Sequence, residues 1–169
     1  MFSTDREQLQ RLLRLSGGLI AAMDGLWFLA VEEEFGNHDA IRLDRIVWER
    51  YLHVLVKRMR NVLGVTPDGV KGIRKIIETD PLFLTNDYAI SEPSSNTMLL
   101  VVNRCSVLEA MERAGRKKYV CESTTGLYFK HLAREIDPNI IVRPLRLPPR
   151  RSHEDLCCKW LFELQSYER

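Results

Sequence analysis

The apolar periodicity of this chain changes once, and it changes at Asp80-Pro81. Before that point apolar residues recur every three or four positions; after it they fall in short alternating runs, the pattern of strands. Ile73, Ile76 and Ile77 end the helical stretch, and Pro81 stops it, having no amide hydrogen to give and no room in the preceding turn. Residues 97–105 then read as a strong strand, and residues 86–92 join it through the turn cluster 93–96 as a hairpin. Two helices follow, 106–114 stopped by Gly115 and 123–136 stopped by Asp137-Pro138. Strands over 139–147 and 156–164 complete the chain. Helices first, then ββααββ, predicts an α+β fold: N-terminal helices packed on a mainly antiparallel four-stranded sheet with two inserted helices. With 169 residues, one domain is expected, divided into a helical half (1–81) and a ββααββ half (82–169).

In the helical half, Ser3 or Thr4 with Glu7 makes a capping signal, and Leu9, Leu12, Leu13 and Leu15 follow on a helical period. Gly17-Gly18 predicts a bend or break, since each glycine costs roughly 1 kcal/mol in a helix interior. A second run, 19–35, ends at Gly36-Asn37 and puts Asp24, Trp27, Phe28, Val31 and Phe35 on one face. Asp24 is then either solvated at the rim of that face or buried beside a pocket, where desolvation would raise its pKa. The pocket so drawn, lined by Asp24, Trp27, Phe28 and Glu32, is the candidate site for a small-molecule ligand. The helix 40–63 carries Ile41, Ile46, Val47, Tyr51, Val54, Leu55, Met59 and Val62 at helical spacing, with Glu49 and His53 as an i,i+4 surface pair. Thr66-Pro67-Asp68 starts the next helix.

Function classes are narrowed by charge and by leader signals. The 25 basic and 23 acidic residues nearly cancel, so nothing general favours nucleic acid. Arg143, Arg146, Arg150 and Arg151 form a basic cluster whose last two members, after Pro148-Pro149, are expected to be exposed and could contact phosphate or an acidic partner, although a solvated loop also accounts for them. No signal peptide is recognisable, and the apolar run 19–31, interrupted by Asp24 and Gly25, falls short of the ~20 residues that span a bilayer. A soluble, cytoplasmic protein without a membrane partner is expected. In that compartment the four cysteines are thiols or metal ligands rather than disulfides.

All four cysteines lie in the second half, each at the end of a predicted element. Strand alternation turns Cys158, Trp160 and Phe162 inward and Cys157 outward. Cys121 opens a helix, where the positive end of the dipole favours the thiolate. Cys105, Cys121 and Cys158, joined by Cys157, Glu122 or His153, could meet at one end of the sheet as ligands for zinc. Two other readings stand beside that one: inert core thiols, or a nucleophilic Cys121 with His131 or His153 as its base.

The segment Met23-Asp-Gly-Leu-Trp-Phe-Leu-Ala-Val-Glu-Glu33, then Phe35-Gly36, Trp48, Cys105, Cys121 and the ending Cys157-Cys-Lys-Trp-Leu-Phe162 resemble a family of uncharacterised prokaryotic cytosolic proteins. The second half is similar in layout to aminothiazoline-carboxylate hydrolase-like proteins and, more remotely, to vinyl-reductase-like ligand-binding domains. The latter resemblance implies a small-molecule pocket between helices and sheet, a cysteine-rich zinc site with Cys105, Cys121 and Cys158 as ligands, and a homodimer. The former implies hydrolysis of an amide or thiazoline-like heterocyclic acid, with Cys121 or a zinc-bound water as nucleophile.

Overall fold

Asp5, whose carboxylate accepts the Gln8 amide at 2.7 Å, starts helix α1 (Arg6–Phe35), which continues unbroken through both glycines. A computed structural model describes residues 5–64, 69–116 and 121–165, so the Ser3 and Thr4 caps and the start predicted at 66–68 lie outside the described residues. The expected break is absent because Gly17 packs directly on the Asp80-Pro81 corner. A Cβ there would stand 1.8 Å from the Pro81 carbonyl oxygen. The contact that fixes α1 on the body needs the missing side chain, and it outweighs the small intrinsic cost of glycine in a helix.

Gly36, at φ 84°, turns the chain from α1 into α2 (Asn37–Leu63), and Gly64 ends α2 in the left-handed conformation. The inward face of α2 is Ala40, Asp44, Leu52, Leu55 and Val56. This differs from the predicted face: Val47, Val54 and Val62 are exposed, with Val62 at 81%. Glu49 and His53 do not pair with each other. Each is used to hold α5 instead, Glu49 near His131 and Arg134, and His53 near Glu135.

Helix α3 (Gly69–Ile77) buries Val70, Ile73, Ile76 and Ile77, and the chain then turns at Asp80. That carboxylate is fully buried; it accepts the Leu82 amide at 3.0 Å and the Tyr128 hydroxyl at 2.5 Å. The strands are β1 (Asp87–Ser94), β2 (Thr97–Arg104), β3 (Ile140–Arg146) and β4 (Cys158–Leu164), with α4 (Ser106–Arg113) and α5 (Thr125–Ile136) inserted between β2 and β3. They form one antiparallel sheet in the order β1-β2-β4-β3. Pro144 is accommodated because β3 is an edge strand, and the ladder slips beside it.

The predicted α+β fold is therefore the observed one. Met98, Leu100, Val102, Trp160 and Phe162 alternate inward from the two central strands and meet α3 and α5 through Ile76, Phe129, Leu132 and Ile136. The core is tied by ring contacts, with Phe129 edge-on to Trp160 at 5.1 Å and to Phe162 at 5.3 Å.

Candidate functional site

The four cysteines converge. Each is a free thiol, and Cys121, Cys157 and Cys158 are each close enough to other thiols for these to raise the cost of ionising them. Three local causes bring them together. Cys105, leaving β2, is the N-cap of α4: its sulfur accepts the Leu108 amide at 3.5 Å, a role usually taken by Ser, Thr or Asp. Cys157 and Cys158 enter β4 opposite Val102; the Cys157 amide donates to the Val102 carbonyl at 2.8 Å. Cys121 precedes α5, and its carbonyl accepts the Gly126 amide at 2.8 Å. Gly126 lets this turn settle on β4, since a Cβ there would lie 3.0 Å from the Trp160 ring.

Burial dominates the electrostatics. Cys121 and Cys158 are both pushed up to about 12, first by desolvation and then by neighbouring thiols. The readier ionisation predicted for Cys121 at a helix start is thereby overturned, the dipole being worth less than the loss of water. Nor does Cys157 face outward: it is 1% exposed, because it precedes the ladder and follows the strand end inward. Its thiol donates to the Asn103 carbonyl at 3.3 Å.

One cation borders the cluster. Arg150, expected in an exposed basic loop, has a side chain only 3% exposed and grips Glu112 through Nε at 2.9 Å and Nη2 at 2.6 Å. Its Nη1 lies 3.7 Å from the Cys157 sulfur. Of the other three arginines, Arg143 pairs with Glu163 and Arg146 with Asp155, while Arg151 is exposed and gives its backbone amide to Asp155. The buried indole N–H of Trp160 lowers the Cys158 pKa somewhat yet finds no partner at full hydrogen-bonding distance. Two of the four sulfurs thus accept N–H groups, Leu108 on Cys105 and Arg150 on Cys157. Thiolates accept such groups far better than thiols do. Among the described residues, however, no group of three or more His, Cys, Asp or Glu side chains is gathered closely enough to hold a metal ion.

The four predicted ligand-binding residues separate. Glu32 is clamped by Arg116, at 2.6 and 2.7 Å, and by Asn37 at 2.6 Å. Phe28 lies under the same guanidinium, 5.8 Å from its ring centre, while Trp27 turns outward at 39% exposure. Asp24 faces a second carboxyl. It shares the Trp48 indole N–H with Asp44, whose carboxyl is buried and carries one oxygen, Oδ1, without a partner. Desolvation and the Asp24 charge push Asp44 up to about 7. The sequence reading missed Asp44, although Ala40, Asp44, Trp48 and Leu52 share one four-residue spacing that would have placed it inward. Two open grooves lie elsewhere, between α2 and α5, one bordered by His53 and Glu135, the other by Arg42 and Leu127.

A profile of a family of unknown function, DUF6125, matches residues 3–164. The chain belongs to that family. No curated protein and no solved structure matches it. Membership agrees with the resemblance to an uncharacterised family and says nothing of the hydrolase-like or vinyl-reductase-like proteins. Family membership carries no function, so the functional reading rests on this chain's own geometry: the buried thiols and the carboxylate pair between α1 and α2.

Proposed function

We propose that this protein binds a thiophilic divalent cation, zinc in the first instance, through Cys105, Cys121 and Cys158 with Cys157 beside them, and that it binds a small molecule in the helical half. What supports the metal reading is the proximity of buried thiols from three chain segments, each of Cys121, Cys157 and Cys158 raised by neighbouring thiols, with N–H groups donated to two of the four sulfurs. Ionising buried thiols near pH 7 is costly; a cation that replaces their protons removes the cost and recruits those N–H groups as supports. The sulfurs have to close together for this, and residues 121–124, between Cys121 and α5, are a turn rather than part of a helix or strand. When bound, the metal would supply a cross-link between sheet end and helix starts, in the manner of structural zinc. A nucleophilic Cys121 would need a group that lowers its pKa. Among the described residues, and apart from its own backbone, the groups acting on it raise it.

Cobalt substitution tests the reading. Titrating the reduced, metal-free chain with Co²⁺ should give the intense near-ultraviolet band of sulfur-to-cobalt charge transfer, which Cys121→Ser and Cys158→Ser should weaken. Absence of that band, with thiols equally reactive whether or not Zn²⁺ is added, rejects it. The ligand reading rests on the unpartnered Asp44 Oδ1, which suits a cationic or N–H-bearing small molecule. Thermal-shift screening of small amines should then find compounds that stabilise the wild type and not Asp44→Asn; equal stabilisation of both rejects this part.

A further inference from the structure

Helix α1 presents its apolar side to solvent. Residues 17, 21, 24, 25, 28, 31 and 32 turn toward the body, and that side carries Asp24, Glu32 and two glycines. On the outward side Leu19, Met23 and Leu26 are 62%, 70% and 67% exposed. A helix packed only against its own chain has the reverse arrangement, with apolar residues inward.

The outward stripe also has a particular spacing. Leu9, Leu12, Ser16, Leu19, Met23, Leu26 and Ala30 alternate steps of three and four, the heptad seam by which one helix meets another. Leu13, Ile20 and Trp27 flank it on one side and are exposed as well. Together these side chains offer on the order of 1,000 Å² of apolar surface. A standard interface takes roughly 800 Å² from each partner, and a monomer's largest patch is a few hundred.

We infer that α1 pairs with α1 of a second copy of this chain, antiparallel, about a two-fold axis at Ile20. The charges at the two ends select both partner and direction. Arg6 lies at one end and Glu34 at the other, both exposed, both at the flanking heptad position held by Leu13, Ile20 and Trp27. In antiparallel pairing like flanking positions meet. Centring on Ile20 sets Arg6 against the partner's Glu34, Leu13 against the partner's Trp27, and Ile20 against itself. The same register seats Leu19 against the partner's Met23 in the seam, and Ser16 against the partner's Leu26. Parallel pairing would bring the basic ends together and the acidic ends together. A closed two-fold contact of this kind uses one patch on both subunits. By length and composition alone α1 would also cross a bilayer, with an 18-residue stretch of mean hydropathy 1.4. The flat-sided seam and the complementary ends favour a protein helix over lipid.

Light scattering on the full chain, reduced and at tens of micromolar, should return twice the 19.7 kDa chain mass. Leu19→Glu with Met23→Glu should return the single mass with unchanged circular dichroism. Arg6→Glu should weaken dimerisation about tenfold, since two exposed ion pairs become two repulsions. Arg6→Glu combined with Glu34→Arg should restore it, and these surface changes remain informative if the double glutamate variant misfolds. A wild type that is monomeric at these concentrations overturns the inference. So does a dimer that survives Leu19→Glu/Met23→Glu, or a charge reversal that the second reversal fails to rescue. Co-sedimentation of monomeric wild type with phosphatidylcholine vesicles, lost in the double glutamate variant, would assign the face to lipid instead.

Discussion

Asp44→Asn isolates the cost of one buried charge. The wild-type carboxyl sits at about 7 against an ordinary value of 3.8, raised first by burial, then by Asp24. A shift of about three units is worth roughly 4 kcal/mol at 1.36 kcal/mol per unit. The sign follows from proton counting. Between about pH 4 and pH 7 the unfolded chain has released this proton while the folded chain keeps it, so stability falls as pH rises. The contribution is whole below the ordinary carboxylate range and gone once pH has passed about 7. Asparagine keeps the shape of the protonated acid and cannot ionise. Near pH 4 the variant should match the wild type within about 1 kcal/mol. At pH 8 it should be more stable by a few kcal/mol, because the wild type then carries a charge with one oxygen unpartnered. Urea unfolding of both proteins at pH 4, 6 and 8, with the same metal content, measures the difference directly. A stability difference that stays constant from pH 4 to pH 8 would refute the buried-charge reasoning.

Two further substitutions address the scaffold. Gly17→Ala should displace α1 from the Pro81 corner and lower the melting temperature by several degrees, since the new Cβ would overlap a backbone carbonyl; an unchanged melting curve would show that α1 is not seated there. Tyr128→Phe removes the hydroxyl donor of the buried Asp80 and should cost about 1–3 kcal/mol in chemical denaturation, with Asp80 pushed up further because the hydrogen bond that lowers it is gone. A loss under about 0.5 kcal/mol would place the Asp80 support elsewhere.

The fold was legible where a local rule governs. Asp80-Pro81, the 93–96 turn and Gly115 divide the chain as read, and the alternation in 158–164 assigns Trp160 and Phe162 to the core correctly. The failures share one cause, contact between segments distant in sequence. Gly17 reads as a breaker until Pro81 is set against it. Arg150 reads as loop charge until Glu112, 38 residues earlier, is set beside it. Glu49 and His53 form a plausible surface pair until α5 offers each another partner. The ionisation of Cys121 was read from helix position alone, and burial reversed it. The neighbours of Asp24 and Glu32 were not legible because helical spacing shows which residues share a face and not what lies opposite. Asp44 and Arg116, which divide that face between them, come from other elements.

Helix α4 joins the two ends of this molecule that carry unexplained chemistry. Its first turn hangs on the Cys105 sulfur, and just past its last turn Arg116 holds Glu32 of α1 with two hydrogen bonds. Between them Glu112 is fastened to Arg150. The eight residues of α4 therefore lie between the Cys105 cap and the arginine that anchors the longest helix, so one short element is fastened at its start to the sheet end and just past its finish to α1.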